Sequence, residues 1–512
     1  MKNLFLLLVL SSLLLFGCKS VQTPSSENDD DGNVTFKFIQ LNDVYEIAPL
    51  SGGKYGGMAR VAHVRDSVAK VNPNTYMFMA GDFLNPSLLG TVKYEGERLQ
   101  GRQMVEVMNA MNFDLVTFGN HEFDVDRMAL QQRLNESQFE WTSANVKQIN
   151  KMGTSAFVKY RDIGNIPVKD THVISVVDGN GSVIKLGFFG VTLPSNPQDF
   201  VKYGDIYVEA ERAYKLLENE VDIVIGLTHI EIEQDMELAK RLPKLRFIMG
   251  GHEHNNMLIP SGNAIIAKAD ANAKTVYIHT FTYNTNTKDL KIDSHLFPID
   301  EKIASQPKVA AIVSKWNEVL EEKINEVIAD PYEVIYYAAP PLDGTDSANR
   351  GIQTNMGDLI TEGMARSFDE AVDGAFVNGG SIRLDDMLAG DVTSIDIFRV
   401  LPFGGHVVKV AMKGSLLIEV LNYGKSSGGT GAYLQRYNIA ESDIAGWLIN
   451  KKPIRMKETY TIAMSDFLLK GYDIPFLTPD NDRIVSVSQP KPSEAASDIR
   501  KAVIFYLKSI NK

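Results

Sequence analysis

From Val34 to about Phe297 the chain alternates short runs of β-branched and aromatic residues with stretches that repeat their apolar residues at helical spacing. That alternation is typical of a domain in which helices pack on β-sheets. The runs that predict strands cover residues 34–41, 75–80, 113–118, 184–190, 221–227 and 245–250. We therefore predict an α/β layer domain over residues 34–300.

All but the fourth of these predicted strands end directly on ligand-type residues. The clusters are Asn42-Asp43, Gly81-Asp82, Gly119-Asn120-His121-Glu122, Thr228-His229 and Gly251-His252-Glu253-His254. Open α/β sheets place their sites outside the carboxyl ends of the strands, so we expect these segments to converge on one rim. His252 and His254 alternate in sequence, and on an extension of the last strand both side chains would face one side.

The clusters offer oxygen and imidazole ligands without thiolate, a set that suits zinc, manganese or iron in a hydrolytic centre. The chain has one Cys, which excludes an internal disulfide and a Cys-rich zinc site. A carboxylate such as Asp82 can bridge two cations about 3.5–4 Å apart, and such a pair can activate water and hold a phosphoryl group. One histidine alone is more often structural than a ligand, but clusters at five strand ends favour a metal centre.

The ordered motifs NDVYE, AGD, GNHEFD, THI and GGHEH resemble the signature of calcineurin-like metallophosphoesterases, in the arrangement of the 5′-nucleotidase and UDP-sugar hydrolase family. The resemblance implies a four-layer α/β fold, a two-layered β-sandwich flanked by helices, that holds two divalent metal ions. It implies two ligand sets, which are Asp43, Asp82 and His254 for one metal, and Asp82, Asn120, His229 and His252 for the other. It also implies a catalytic dyad of His121 and Asp124 that stabilises charge on the phosphoryl oxygens.

The chain departs from the family at Tyr45, where the family usually has a histidine ligand. A neutral tyrosine is a poor zinc ligand, whereas a phenolate binds ferric iron well. Two hypotheses follow: the first metal is held by fewer protein ligands and binds weakly, or the site has shifted towards an iron-type metal. We favour the first.

Residues 307–330 repeat apolar residues at the spacing of a helix with one buried face, and Pro331 is expected to stop that helix. We interpret residues 301–331 as a linker helix between the first domain and a mixed α/β domain over residues 332–512. The second domain mixes strands and helices, and its apolar segments include residues 395–403, 406–412 and 459–469.

Motifs in the second half, among them QTNMGDLITEGM, NGGSIR, LPFGG, GGTGAYLQ and SDFLLKGYD, resemble the same family's C-terminal substrate-binding domain. The residues that the resemblance assigns to substrate binding are Arg350, Asn378, Arg383, Phe403, Gly431, Phe467 and Asp473. It places a base between Phe403 and Phe467 and the ribose hydroxyls at Asp473. Aromatic faces stack on a base with about 1–3 kcal/mol, and Arg donor forks suit phosphate.

The N-terminus predicts export. Lys2 precedes an apolar run over residues 4–16, which is shorter than the ~20 residues of a membrane-spanning helix. Residues 1–17 resemble a bacterial lipoprotein signal peptide, which implies a lipidated Cys18 that anchors the protein to a membrane outside the cytoplasm. Ordinary signal cleavage and an uncleaved anchor are the alternatives. Residues 18–33 are polar and form the predicted tether.

A formal charge of −12 argues against a nucleic-acid polymer as partner, because no basic excess exists to neutralise a phosphate backbone. We predict a metal-dependent hydrolase of nucleotide phosphate esters, foremost a 5′-nucleotidase. The alternatives are a 2′,3′-cyclic-nucleotide phosphodiesterase or UDP-sugar hydrolase and, from another class, a non-catalytic nucleotide-binding surface lipoprotein. With chemistry on the first domain and recognition on the second, turnover is expected to require domain closure.

Overall fold

The structure is a computed structural model that describes residues 31–151, 153–162, 164–195 and 198–511. The predicted signal peptide, Cys18 and all but the end of the predicted tether lie outside the described residues. Within the described ranges, every helix is too short or too polar to cross a bilayer.

The first domain contains two six-stranded sheets. In spatial order, the strands of the first sheet are Leu290–Pro298, Thr275–Asn284, Asn33–Leu41, Thr75–Ala80, Leu115–Thr117 and Glu140–Thr142. Those of the second are Thr171–Val177, Val183–Thr192, Ile223–His229, Leu245–Gly250, Ala264–Lys268 and Met257–Ser261. Every predicted strand is present. The four strands from Asn33–Leu41 to Glu140–Thr142 are parallel, as are the four from Val183–Thr192 to Ala264–Lys268, so in each sheet their carboxyl ends lie at one edge.

The two sheets pack face to face through an aromatic core. Phe188 from the second sheet lies 5.9 Å from Phe38 and 5.1 Å from Phe78 between ring centroids. The helices on the outer face of the first sheet are Met58–Val71, Arg102–Met111 and Arg127–Glu136, and those on the second are Ile206–Leu217 and Ile232–Arg241. The predicted four-layer fold is confirmed, since each sheet buries one face against its partner and the other against helices.

The connecting helix spans Pro307–Asn325 and packs against the helices Met58–Val71 and Arg102–Met111 of the first domain. Trp316 is fully buried there, and its indole N–H donates to Glu106 at 2.9 Å. The predicted end at Pro331 is wrong, because the backbone N–H groups of residues 327 and 328 both return to Ile324 and tighten the last turn.

The second domain is mixed α/β, as predicted. Its main sheet has the order Leu434–Tyr437, Gly374–Asn378, Thr459–Ser465, Val407–Lys413 and Ile484–Ser488. Its smaller sheets pair Val334–Asp343 with Met387–Thr393, and Gly446–Ile449 with both Ile439–Ser442 and Lys452–Pro453. Its α-helices are Asp346–Asn349, Asn355–Ala365, Ser394–Val400, Gly414–Ser426 and Ile499–Ile510. The apolar segment 395–403 is therefore largely helical, whereas segments 406–412 and 459–469 form strands over most of their length.

Several short elements connect this framework. The short strands are Lys93–Tyr94, Glu97–Arg98, Val146–Asn150, Gly153–Ser155, Val158–Arg161, Gly164–Pro167 and Val201–Tyr203. The short helical segments are Leu88–Thr91, His121–Asp124, Ala271–Ala273, Gly379–Ser381, Leu468–Lys470 and Ala495–Ser497. Two of them, His121–Asp124 and Gly379–Ser381, carry residues of the candidate site.

Candidate active site

Asp43, Asp82 and His229 meet at the carboxyl edge of the parallel strands, with ligand atoms within 4.8 Å of one another. All three side chains are buried. His229 Nε2 lies 3.0 Å from Asp82 Oδ2 and 3.9 Å from Asp43 Oδ1, while its Nδ1 lies 2.8 Å from the Ala80 carbonyl. The carbonyl accepts from Nδ1–H and leaves Nε2 to face the carboxylates, so this buried oxygen and nitrogen set fits a divalent cation.

The strand ends turn sharply into this cluster. Asp43 and Asp82 have φ values of 53° and 55°, in the left-handed region that aspartate tolerates better than most residues. The Asp43 N–H donates to the Gly81 carbonyl at 3.0 Å and ties the two turns together. Strained backbone that carries buried carboxylates is typical of a functional site.

Two motif glycines make room for the ligands. A Cβ on Gly119 would lie 2.0 Å from Asp82 Oδ1. Gly81 has a φ of 80°, and a Cβ there would lie 2.6 Å from His229 Nδ1. The glycines of AGD and GNHEFD thus permit the close approach that a shared cation requires.

The other predicted ligands surround this cluster unequally. Asn120 Oδ1 lies 3.2 Å from His229 Nε2, and His254 Nε2 lies 3.5 Å from Asp43 Oδ1. His252 Nε2 instead lies 3.2 Å from Glu231 Oε1, although the His252 backbone N–H donates to Asp43 at 3.0 Å. The expected alternation of His252 and His254 along a strand is wrong, since the strand ends at Gly250 and His252 has a φ of 84°.

His121 and Asp124 lie on one 3-10 turn and form the predicted pair, with Nδ1 2.8 Å from Oδ2. Burial lowers the pKa of His121, but the carboxylates of Asp82 and Asp124 raise it more, well above the usual range. Burial raises the pKa of Asp124, but His121 and Arg383 lower it more, well below its usual range. The arrangement favours an imidazolium whose Nε2 faces the site.

Glu122 is a site residue that motif spacing did not single out. Its buried carboxylate accepts the backbone N–H groups of Asp82, Phe83, Leu84 and Gly119 at 2.9, 2.7, 3.0 and 2.6 Å. Burial and the charge of Asp82 raise the pKa of Glu122 to about 7. Glu122 fixes the backbone that carries Asp82, and its place inside GNHEFD was the available signal.

Tyr45 is buried beside the cluster. Its hydroxyl lies 3.0 Å from His254 Nε2 and 3.5 Å from Asp43 Oδ1. Burial and the charges of Asp43 and Asp385 raise the pKa of Tyr45 well above its usual value. The side chain is therefore a neutral phenol that donates a hydrogen bond.

The predicted aromatic pair lines one cavity, which the second domain forms together with Arg98 of the first. Phe403 and Phe467 face a space of about 430 Å³ together with Gly380 and Ser381. Phe403 is 56% exposed, so it is not a core residue despite following an apolar run. A cavity of this size, with two aromatic faces, suits a ring-containing ligand.

The predicted polar residues of the second domain are all paired. Asn378 Nδ2 donates to Asp473 Oδ2 at 2.7 Å, and the Gly431 carbonyl accepts from the Gly380 N–H at 3.0 Å. Arg350 pairs with Asp346 at 2.9 Å. These residues lie around the NGGSIR loop.

Arg383 crosses to the first domain, with Nη2 2.8 Å from Asp124 Oδ2. This ion pair joins the NGGSIR loop to the predicted dyad of His121 and Asp124. Asp385, two residues further along, also reaches the first domain and lies 3.5 Å from His121 Nε2. The motifs in the sequence do not include Asp385. Its position two residues after NGGSIR is the one sequence feature that relates it to the site.

Comparisons with known proteins agree with this geometry. A family model described as calcineurin-like phosphoesterase matches residues 36–256, and one described as 5′-nucleotidase, C-terminal domain, matches residues 334–478. Human 5′-nucleotidase is 27% identical over 477 residues, which cover 82% of this chain and 78% of the human protein. The trifunctional nucleotide phosphoesterase protein YfkN of Bacillus subtilis (strain 168) is 26% identical over 511 residues, which cover 90% of this chain but 33% of YfkN, so the chain spans about a third of that relative.

Among solved structures, the 5′-nucleotidase precursor from Thermus thermophilus superposes with a TM-score of 0.65 at 22% identity, covering 93% of this chain and 97% of that one. This likeness shows a shared two-domain fold. The two family models together match more than half of the chain, and they show that it belongs to the 5′-nucleotidase family of calcineurin-like phosphoesterases, which are metal-dependent hydrolases of phosphoric esters.

Proposed function

We propose that the protein is a 5′-nucleotidase that hydrolyses nucleoside 5′-monophosphates to nucleoside and phosphate. The observation that carries the proposal is the 2.8 Å contact between Arg383 and Asp124. It brings the NGGSIR loop, which also borders the aromatic cavity, against the dyad at the metal cluster. A nucleoside monophosphate has the matching shape, with its base and its phosphoryl group at opposite ends.

Two divalent ions would complete the centre and supply the charge that activates water and holds the phosphoryl group. The proposed ligands are Asp43, Asp82 and His254 for one ion and Asp82, Asn120, His229 and His252 for the other. The buried, thiolate-free set of Asp43, Asp82 and His229 fits this assignment.

The protein's own residues orient the substrate and stabilise developing charge. His121 Nε2 donates to a phosphoryl oxygen while Asp124 holds Nδ1 and fixes the ring. Negative charge builds on those oxygens in the transition state, so a fixed imidazolium favours that state over the ground state. Arg350, Asn378 and Arg383 hold the substrate, with the two guanidinium groups at its phosphate. Phe403 and Phe467 stack on the base, Asp473 contacts the ribose hydroxyls, and Gly431 permits a close backbone approach.

We further propose that the first metal binds weakly rather than being replaced by iron. The position of Tyr45 supports this, because its hydroxyl lies 3.0 Å from His254 Nε2 and 3.5 Å from Asp43 Oδ1, and a phenol that keeps its proton is a poorer ligand than the imidazole usual in the family. Metal analysis of the purified protein tests it. Stoichiometric iron with a violet charge-transfer band would contradict it.

The activity is tested by product analysis of AMP, 2′,3′-cyclic AMP and UDP-glucose incubated with zinc, manganese or magnesium. AMP hydrolysis releases phosphate, whereas opening of the cyclic diester gives a nucleoside monophosphate and cleavage of UDP-glucose gives UMP and glucose 1-phosphate. AMP should be hydrolysed, and His121→Ala should lower that rate by about 10²–10³-fold, because loss of one donor that stabilises transition-state charge costs about that much. His63→Ala, on the helix Met58–Val71, is the matched control and should keep full activity.

Two outcomes select the rival functions. Cleavage of the cyclic nucleotide or UDP-glucose without AMP hydrolysis selects the phosphodiesterase or UDP-sugar hydrolase. Calorimetric binding of AMP with no phosphate released under any metal selects a nucleotide-binding surface lipoprotein.

We also propose that Cys18 carries a lipid and holds the enzyme on a membrane of the bacterial envelope outside the cytoplasm, facing the periplasm or at the cell surface. The short apolar run before it and the polar residues after it support this. Mass spectrometry of the N-terminal peptide should show acyl chains on Cys18, and Cys18→Ser should move the protein to the soluble fraction. An unmodified Cys18 in membrane-bound protein would contradict the proposal.

A further inference from the structure

Three charged residues of the second domain contact the first domain. They are Arg383, Asp385 and Asp386. Arg383 pairs with Asp124 at 2.8 Å, and Asp386 pairs with Lys274 at 2.5 Å. These two ion pairs join the domains at residues that precede and follow Asp385 in the sequence.

Asp385 is held in place from its own domain. Its Oδ1 accepts the backbone N–H of Asp346 at 2.8 Å, and its backbone has a φ of 49°. Its Oδ2 lies 3.4 Å from the Tyr45 hydroxyl and 3.5 Å from Nε2 of both His121 and His254. One carboxylate oxygen therefore faces three groups of the first domain that can donate hydrogen bonds.

Of these three groups, His121 is the one that the proposed function places against a phosphoryl oxygen. The His121 Nδ1 is taken by Asp124 at 2.8 Å, so Nε2 is the ring nitrogen left for a ligand, and it faces Asp385. A carboxylate and a phosphoryl group are both anions that only accept hydrogen bonds, so each can use the same N–H of His121. They repel each other and cannot occupy one position together.

We infer that Asp385 is an internal competitor of phosphate, seated between the domains where a phosphoryl oxygen accepts from His121. Substrate must displace this carboxylate on entry, and the carboxylate returns as product phosphate leaves. The inference rests on the proposed phosphoesterase function and assigns Asp385 a role in phosphate release.

A role for Asp385 as a metal ligand fits the geometry less well. Its Oδ1 accepts the backbone N–H of Asp346 at 2.8 Å. Its Oδ2 is instead directed at imidazole nitrogens and a phenol hydroxyl.

The test is calorimetric binding of inorganic phosphate to the full-length, metal-loaded protein. Asp385→Asn keeps the side-chain size, can still accept from the Asp346 N–H and tolerates a left-handed backbone. We expect this variant to bind phosphate about tenfold more tightly, because one anion close to the phosphate is removed. Asp391→Asn is the control: it removes the same charge from an exposed interdomain pair with Lys54, and its phosphate affinity should match the wild type.

Unchanged or weaker phosphate binding by Asp385→Asn would overturn the inference. So would loss of bound metal from that variant, counted by mass spectrometry, since it would make Asp385 a ligand. AMP hydrolysis by the wild type, measured alongside, tests the proposed function separately, because phosphate binding to the loaded centre is read whether or not AMP is the substrate.

Discussion

Gly119 shows how little space surrounds the ligands. Its missing side chain leaves room for Asp82 Oδ1, which a Cβ would approach to 2.0 Å. We predict that Gly119→Ala displaces the carboxylate and weakens metal binding at least about tenfold. Metal titration by calorimetry checks this. Gly179→Ala is the control, since a Cβ there meets nothing within 4 Å, and equal metal affinity of both variants would contradict the prediction.

Glu122 should matter as a backbone anchor. Its Oε2 accepts from the Asp82 and Gly119 N–H groups and its Oε1 from those of Phe83 and Leu84. In Glu122→Gln, an NH₂ group replaces one of the two oxygens. Two of the buried backbone N–H groups then face a donor instead of an acceptor. We expect a loss of about 2–6 kcal/mol from the first domain, because each unsatisfied donor costs about 1–3 kcal/mol.

Thermal unfolding followed by circular dichroism measures this loss, with Glu97→Gln, an exposed residue, as the control. A midpoint for Glu122→Gln within a degree of the control would show that the backbone does not depend on this carboxylate.

At the scale of single elements, the strand Thr275–Asn284 buries a histidine that should make stability depend on pH. His279 Nε2 donates to Gln40 Oε1 at 3.0 Å, its Nδ1 lies 2.8 Å from the Ser294 hydroxyl, and burial lowers its pKa to about 3. In the unfolded chain this histidine titrates near 6.5. Between pH 6.5 and 3 this histidine is protonated in the unfolded chain but neutral in the folded protein. Its contribution to the free energy of unfolding is therefore fully present above pH 6.5 and is lost as the pH falls from about 6.5 towards 3.

We predict that the free energy of unfolding falls by about 2 kcal/mol between pH 7 and pH 5 because of His279. The loss begins near pH 6.5, and each of the roughly 1.5 pH units below it costs about 1.36 kcal/mol. His279→Gln should lack this part of the pH dependence, whatever its stability at pH 7. Urea unfolding of both proteins at the two pH values measures the difference. Parallel losses in wild type and variant would contradict the assignment.

The predicted strands were found because buried parallel strands have a strong local pattern of apolar residues, and their ends carry the motif residues. Boundaries were harder. The apolar repeat of the connecting helix continues through Val327, but hydrogen bonding back to Ile324 ends the helix at Asn325. The apolar segment 395–403 could be either strand or helix, and the capping box between Thr393 and Asp396 makes it helical.

The site was predictable where its residues follow strands and less so where distant segments meet. Glu122 acts through the N–H groups of residues 82–84, about forty positions earlier, and Asp385 through Tyr45, 340 positions away. His252 turns to Glu231 because the chain leaves the strand at Gly250. These partners are set by tertiary packing, which local spacing does not report.

At the scale of the whole molecule, the two domains meet through ion pairs, which include Lys54 with Asp391 and Arg383 with Asp124. On the proposed function, we expect that a nucleotide enters between the domains only when these contacts open. We predict that Lys54→Cys, Asp391→Cys protein with Cys18 replaced by Ser loses at least about tenfold of its turnover when a short bismaleimide joins the two cysteines. Phosphate release before and after cross-linking measures this.

The two single-cysteine proteins treated with the same reagent are the controls and should keep their turnover. Full activity of the cross-linked protein would show that the domains need not separate during the cycle.

We propose that five strand ends bring oxygen and imidazole ligands to one point where cations bind. Anomalous diffraction from a manganese-loaded crystal shows where the cations lie. We expect a peak within about 2.0–2.3 Å of ligand atoms from Asp43, Asp82 and His229. Crystals that hold manganese elsewhere, with no peak among these three side chains, would contradict it.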